Sequence, residues 1–192
     1  MRGRLRLALW AALALLLAWP VAAWAREPSV RLIDPAREHR VAARIEARRG
    51  LLPPKYQRRN NFAWAIFKIE GVDSQEFIAH SSIQDANDIP ADYDIPDGLV
   101  SFRPPPQRYH FTPHPVNGDN VIGGPDSWYR HIDTEFKILE NLARIIPSED
   151  AVGRILLYTD LHPCASCFQV MCDFLDRYPN ITMQVLYREP YP

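Results

Sequence analysis

The sequence predicts an α/β sandwich built on a mixed sheet, and three stretches predict it. Residues 61–70 (NFAWAIFKIE) and 75–83 (QEFIAHSSI) are rich in β-branched and aromatic side chains. The short link Gly71-Val72-Asp73-Ser74 between them makes an antiparallel hairpin. Residues 132–146 place Ile132, Phe136, Leu139, Leu142 and Ile146 on one helical face, which Pro147 ends. From 154 the chain reads as a buried strand (154–159), a turn, and a helix to about Tyr178 with Phe168, Met171, Phe174 and Leu175 on one face. A last strand follows over 181–188. Strands of both senses with helices between them give a layered α/β architecture.

Taken in order, the chain starts with Arg2, Arg4 and Arg6, turns apolar over 7–25 and closes that run on Ala23-Trp24-Ala25. These are the three parts of a secretory signal peptide, with cleavage expected before Arg26. The apolar run is near the lower limit for a membrane span and Pro20 interrupts its end. The expectation is therefore an exported protein, periplasmic or secreted, with no stable membrane association after the signal is removed. Taking those three arginines from 22 basic residues against 23 acidic ones leaves a formal net charge of about −4. Such a chain does not adhere to nucleic acid through its overall charge. All the cysteines lie between 164 and 172, which is not how a disulfide-stapled exported domain distributes them.

Residues 26–59 read as a basic helix and linker. Asp34 is placed to cap a helix over 34–50, Pro35 suits its first turn and Gly50 its end. Arg37, Arg40, Arg44, Arg48 and Arg49 give this helix either a solvated face or a phosphate-contacting edge. Residues 60–192 form the main domain. Within it, 84–128 is a Pro-, Asp- and Asn-rich insertion with one short extended piece expected around 109–111. Its His110 and His114 are possible ligands, and long loops of this kind often serve as lids or binding loops.

The chemistry concentrates at two helix starts. His162-Pro163-Cys164-Ala165-Ser166-Cys167 lies on a strand-to-helix turn, where unpaired N–H groups and the helix dipole are expected to lower a thiol's pKa. Two such cysteines bind a metal or form a redox disulfide. Asp133-Thr134-Glu135 opens the earlier helix. Alone, Asp133 reads as a helix cap and Glu135 as a favourable first-turn acid. Cys172 reads as a core residue.

A ligand, a Glu two residues later and a downstream Pro-Cys-x-x-Cys is the zinc deaminase arrangement. On Asp133-Thr134-Glu135-Phe136-Lys137-Ile138-Leu139 and on 157–167 (LYTDLHPCASC), the chain resembles the cytidine-deaminase-like superfamily, and more closely its bacterial polymorphic-toxin branch. The resemblance covers roughly 60–188 and implies a three-layer α/β/α sandwich. It further implies a zinc ion held by Cys164 and Cys167, with Glu135 as the proton shuttle. Superfamily members usually carry His or Cys where this chain has Asp133. A carboxylate is an acceptable zinc ligand, and His131 is the alternative first ligand. Trp128 and Tyr129 are placed to stack on a base, and His162 to contact a phosphate or support the metal site. The implied activity is hydrolytic removal of an amine from cytosine or adenine, in nucleic acid or a nucleotide, by a toxin with an immunity protein as partner. Two other readings stay open: an exported thiol–disulfide oxidoreductase, and a non-catalytic zinc-stabilised binding module whose fourth ligand would be His131 or His162.

Overall fold

A computed structural model describes residues 26–73 and 76–191; the leader expected at 1–25 lies outside the described residues. The elements in chain order are β1 (Ser29–Leu32), α1 (His39–Arg49), a one-turn α2 (Pro54–Gln57), β2 (Phe62–Ile69) and β3 (Glu76–His80). Then come the two-residue strands β4 (Pro115–Val116) and β5 (Trp128–Tyr129), α3 (Thr134–Ile145), β6 (Gly153–Leu161), α4 (Ala165–Arg177) and β7 (Ile181–Glu189). The main sheet has five strands in the order β1-β7-β6-β2-β3. β1 and β6 run parallel to β7, while β2 is antiparallel to both β3 and β6, so the sheet is mixed.

Alternation along the strands splits the core in two. Ala65, Phe67, Ile155, Leu157, Met183 and Val185 face α3 and α4, packing on Phe136, Leu139, Val170 and Phe174. Phe62, Trp64, Ile78, Tyr158 and Leu186 face the other way, under Ile45 of α1 and Leu52. Helices on both faces make the three-layer α/β/α sandwich. The buried stripe expected on α3 is present except for Ile132, which precedes the helix and is exposed. Thr134, Glu135, Lys137 and Glu140 are buried as well, so α3 is enclosed nearly all round.

Two expectations are corrected and one strand is added. The helix placed at 34–50 begins at His39, because the Asp34 carboxylate accepts from the Ala36 and Arg37 N–H groups and closes a turn of its own. β1 has no signal in the sequence, because four mostly exposed residues carry no burial pattern. The extended piece of the insertion is β4, not 109–111. Instead, buried Glu140 of α3 accepts from the N–H groups of His110 and Phe111 at 2.8–3.0 Å and lies 3.1 Å from His110 Nδ1. Tyr109 meets the Phe136 ring edge-on at 4.9 Å, which pins the loop across the helix.

Three of the four arginines of α1 are held in ion pairs, while Arg40 is exposed. Arg44 and Arg48 both pair with Glu76 of β3. Arg49 forks onto Asp160 of β6 at 2.8 and 2.6 Å and lies 4.4 Å from the centre of the Phe62 ring. Asp160 also accepts from the Tyr158 hydroxyl at 2.7 Å and the Phe62 N–H at 3.3 Å. A buried carboxylate in the strand that leads to the cysteines thus locks α1 onto the sheet. Replacing Asp160 by Ala strands a buried guanidinium and should cost about 3–5 kcal/mol in urea unfolding. A loss under 1 kcal/mol would show that water reaches the pair.

Candidate active site

The sheet's alternation and two helix starts build the site together. On β6, Ile155 and Leu157 face α3 and α4, and the next residues in that row are Thr159 and Leu161, which reach the helix N-termini. Cys164 is the N-cap of α4, and its Sγ accepts from the Cys167 N–H at 3.4 Å. Asp133 is the N-cap residue of α3, yet its side chain makes no capping bond. Its Oδ2 lies instead 3.3 Å from both Cys164 Sγ and Cys167 Sγ. The three ligand atoms fall within 4.8 Å of one another, a group that could hold a metal ion. Bonds of about 2.0–2.3 Å from a tetrahedral ion space such donors roughly 3.5 Å apart. This arrangement therefore fits a metal with little movement.

Glu135 stands beside this group, fully enclosed, with Oε2 3.8 Å from Cys167 Sγ. The Thr134 and Thr159 hydroxyls donate to its two oxygens at 2.8 and 2.9 Å. Asn61, immediately before β2, donates to the hydroxyl oxygens of Thr134 and Thr159 at 2.8 and 2.9 Å and accepts from the Leu161 N–H at 3.2 Å. One amide thus ties three elements around the carboxylate. Sequence reasoning missed this role of Asn61, Thr134 and Thr159. The available signal was faint: hydroxyls at inward-facing positions, and a polar residue leading into an apolar strand.

Burial raises the carboxyl of Asp133 above its ordinary value, with Arg130 opposing. It raises Glu135 too, reinforced by Asp133. The expectation of a lowered thiol pKa is corrected at Cys167: its contact with Cys164, then burial and the neighbouring carboxylates, push it well above the ordinary range. In this chain the helix start does not outweigh three acidic neighbours. All three cysteines are free, and Cys172 is buried away from the cluster on α4.

A cleft of about 350 Å³ opens over the group, lined among others by Asn60, Asn61, Ser81, Trp128, Arg130, Ile132, His162 and Tyr191. Residues 128, 130 and 132 line it, while Tyr129 and His131 do not. β5 ends at Tyr129, and the chain then turns through 130–133, where the Asp133 N–H donates to the Arg130 carbonyl at 3.1 Å. His131 is not among the converging donors, and neither are His110, His114 and His162. His162 lines the cleft, its ring edge-on to Tyr187 at 4.7 Å. The insertion supplies the cleft's wall and also buttresses the cysteine turn. Asn120 Oδ1 accepts from the Ala165 N–H at 2.7 Å, and the His114 N–H donates to Ser166 Oγ at 2.9 Å.

An enclosed α/β/α sandwich that brings a carboxylate, two cysteines and a buried glutamate to two facing helix starts has the form of a cytidine-deaminase-like enzyme. The model of the BURPS668_1122 family of deaminases, a toxin-deaminase family, matches residues 46–189. The chain belongs to that family. No curated protein and no solved structure matches it.

Lys137, one helical turn after Asp133, is buried and donates to the carbonyls of His80 and Ile83, both at 2.6 Å. Burial pulls its pKa down to about 7, against about 10.4 in an unfolded chain. Between those values the unfolded state holds a proton that the folded state lacks, so this residue makes stability rise with pH. Comparing wild type with Lys137→Met by urea unfolding at about pH 7 and pH 9.5, the difference should move in favour of wild type by roughly 1–3 kcal/mol. A pH-independent difference would mean the ammonium stays charged.

Proposed function

We propose that this chain is an exported, zinc-dependent nucleobase deaminase that hydrolyses the exocyclic amine of cytosine or adenine in a nucleotide or nucleic acid. The observation that carries the reading is the turning of Asp133 away from its capping role onto both cysteine sulfurs, with buried Glu135 alongside. Asp133, Cys164 and Cys167 would hold the metal. A zinc ion there supplies a Lewis acid that brings the pKa of water towards neutrality. Only three donors converge among the described residues. This favours a site open to water over a closed structural one, which takes four protein ligands.

Glu135 is the proton carrier. It takes one proton of the attacking water and delivers it to the ring nitrogen; it then takes the second from the hydroxyl now on the ring carbon and passes it to the departing amine as the C–N bond breaks. Water and the amino-base become the oxo-base and ammonia. A carboxyl whose pKa burial and Asp133 both raise is suited to receiving that proton. Thr134, Thr159 and Asn61 aim it by fixing both its oxygens. The target base enters the cleft past Trp128, which is half-exposed beside the metal group. Export rests on the leader pattern of residues 1–25. The toxin family implies a cognate immunity protein that covers the cleft.

Metal analysis of the purified chain should find about one zinc per molecule, and Cys164→Ser or Cys167→Ser should lose it. Glu135→Gln should keep zinc while ammonia release from cytosine- or adenine-containing oligonucleotides and nucleotides falls about 10²–10⁴-fold. A chain purified without chelator that carries no zinc, or a Glu135→Gln variant with undiminished turnover, would sink the reading. Asn61→Ala should also retain zinc and lower kcat by about tenfold, since it loosens the carboxylate without touching the metal ligands. An unchanged kcat would remove Asn61 from the machinery.

A further inference from the structure

Arg130 is the cation of this cleft for which the deamination chemistry has no use. It follows β5 on the same side as Trp128, and its guanidinium lies 4.6 Å from the centre of the Trp128 ring and 6.0 Å from that of Tyr191. One terminal nitrogen donates to the Tyr191 hydroxyl. Its Nε is buried and has no hydrogen-bond partner among the described residues. Among the described residues it makes no ion pair. Two aromatic rings and a hydroxyl therefore hold a guanidinium in place at the rim of the cleft while most of its donors are unspent. With Nε enclosed, the terminal N–H groups not bonded to Tyr191 are the donors left for a ligand that brings acceptor oxygens.

The charge of the surroundings says what that ligand is. Asp133, Glu135 and the two cysteines line the same cleft, and two thiolates with a carboxylate outweigh the charge of one divalent ion. The Lys137 side-chain nitrogen is committed to the His80 and Ile83 carbonyls. A neutral nucleoside needs no guanidinium at the rim. An anionic substrate needs one to enter so acidic a site, and a planar fork matches two phosphate oxygens. We propose that Arg130, braced by Trp128 and Tyr191, is the phosphate receptor of the active site. The substrate is then a phosphorylated nucleoside, either a mononucleotide or a nucleotide within a strand, and not a free base or nucleoside. This rests on the deaminase reading above. The rival role for Arg130 is a counter-charge to Asp133, which would act on the metal and not on the ligand.

The test measures calorimetric binding to the zinc-loaded chain carrying Glu135→Gln, which blocks turnover. Cytidine is compared with CMP, adenosine with AMP, and each with a short single-stranded oligonucleotide; inorganic phosphate serves as competitor. One of the two mononucleotides should bind about 10- to 100-fold tighter than its nucleoside, and phosphate should erode that advantage. Adding Arg130→Gln should abolish the advantage while leaving nucleoside affinity and zinc content unchanged, and Arg130→Lys should restore part of it. Affinity that grows with strand length assigns the phosphate to nucleic acid, and equal affinity assigns it to a mononucleotide; both support the proposal. Equal binding of nucleoside and nucleotide to the parent chain overturns it and leaves the deaminase reading standing. Loss of zinc in Arg130→Gln, with nucleoside and nucleotide weakened alike, overturns it in favour of the counter-charge. If no nucleoside or nucleotide binds a chain that holds zinc, the deaminase reading itself fails.

Discussion

The structure depends on the burial of several acids in one place. A carboxylate oxygen 3.3 Å from each of two cysteine sulfurs, with a second carboxylate 3.8 Å from one of them, cannot all be anionic without a compensating cation. The raised pKa values of Asp133, Glu135 and Cys167 express the same constraint from the proton's side. The two helix N-termini that converge here contribute only partial positive charge, about half an elementary charge each. A divalent metal is the compensation that suits the donors and their spacing.

Holding such a cluster requires a rigid frame, and the polar groups around it supply one. β6 carries Asp160 on one face and Thr159 on the other. The Arg49 pair therefore locks the strand from the α1 side, while Thr159 sets the carboxylate on the α3 side. Asn61 and Phe62 reach the same strand from β2, one through the Leu161 N–H and the other through Asp160. The insertion closes the remaining side with Glu140 fastening 110–111 and Asn120 fastening the first turn of α4. Distant changes such as loss of Asp160 act on the site through the ends of β2 and β6, because those strands carry Asn61 and Thr159.

Long periodic elements were legible in the sequence for physical reasons. β2, β3, α3, β6, α4 and β7 each bury a repeating apolar set, and repetition leaves a signature that survives without neighbours. Asp133, Glu135, Cys164 and Cys167 were legible because helix starts place side chains predictably and the spacing matches a known chemistry. What could not be read depends on tertiary partners. β1 is a strand because β7 offers it an edge, and four mostly exposed residues show no pattern of their own. Arg44, Arg48 and Arg49 of α1 looked like surface because Glu76 and Asp160, their partners, lie 28 or more residues away along the chain. Asn61 and Arg130 lie in segments with no motif, and only the assembled cleft gives them partners.

The choice between Asp133 and His131 illustrates the same division. Spacing alone favours Asp133, but the backbone supplies the reason. Trp128, Arg130 and Ile132 line the cleft and His131 does not, and a turn hydrogen bond joins the Asp133 N–H to the Arg130 carbonyl. The chain then turns into α3 at Asp133, whose carboxylate swings to the sulfurs. An aspartate at this position leaves the site one negative charge richer than a histidine would. That charge has two consequences within the same few residues. It pushes the Glu135 carboxyl further in the direction burial already takes it, towards holding a proton, and it makes the cleft hostile to anions unless a cation stands at its rim. Arg130 stands there, so the aspartate at the start of α3 and the aromatic-braced arginine three residues before it form one electrostatic arrangement.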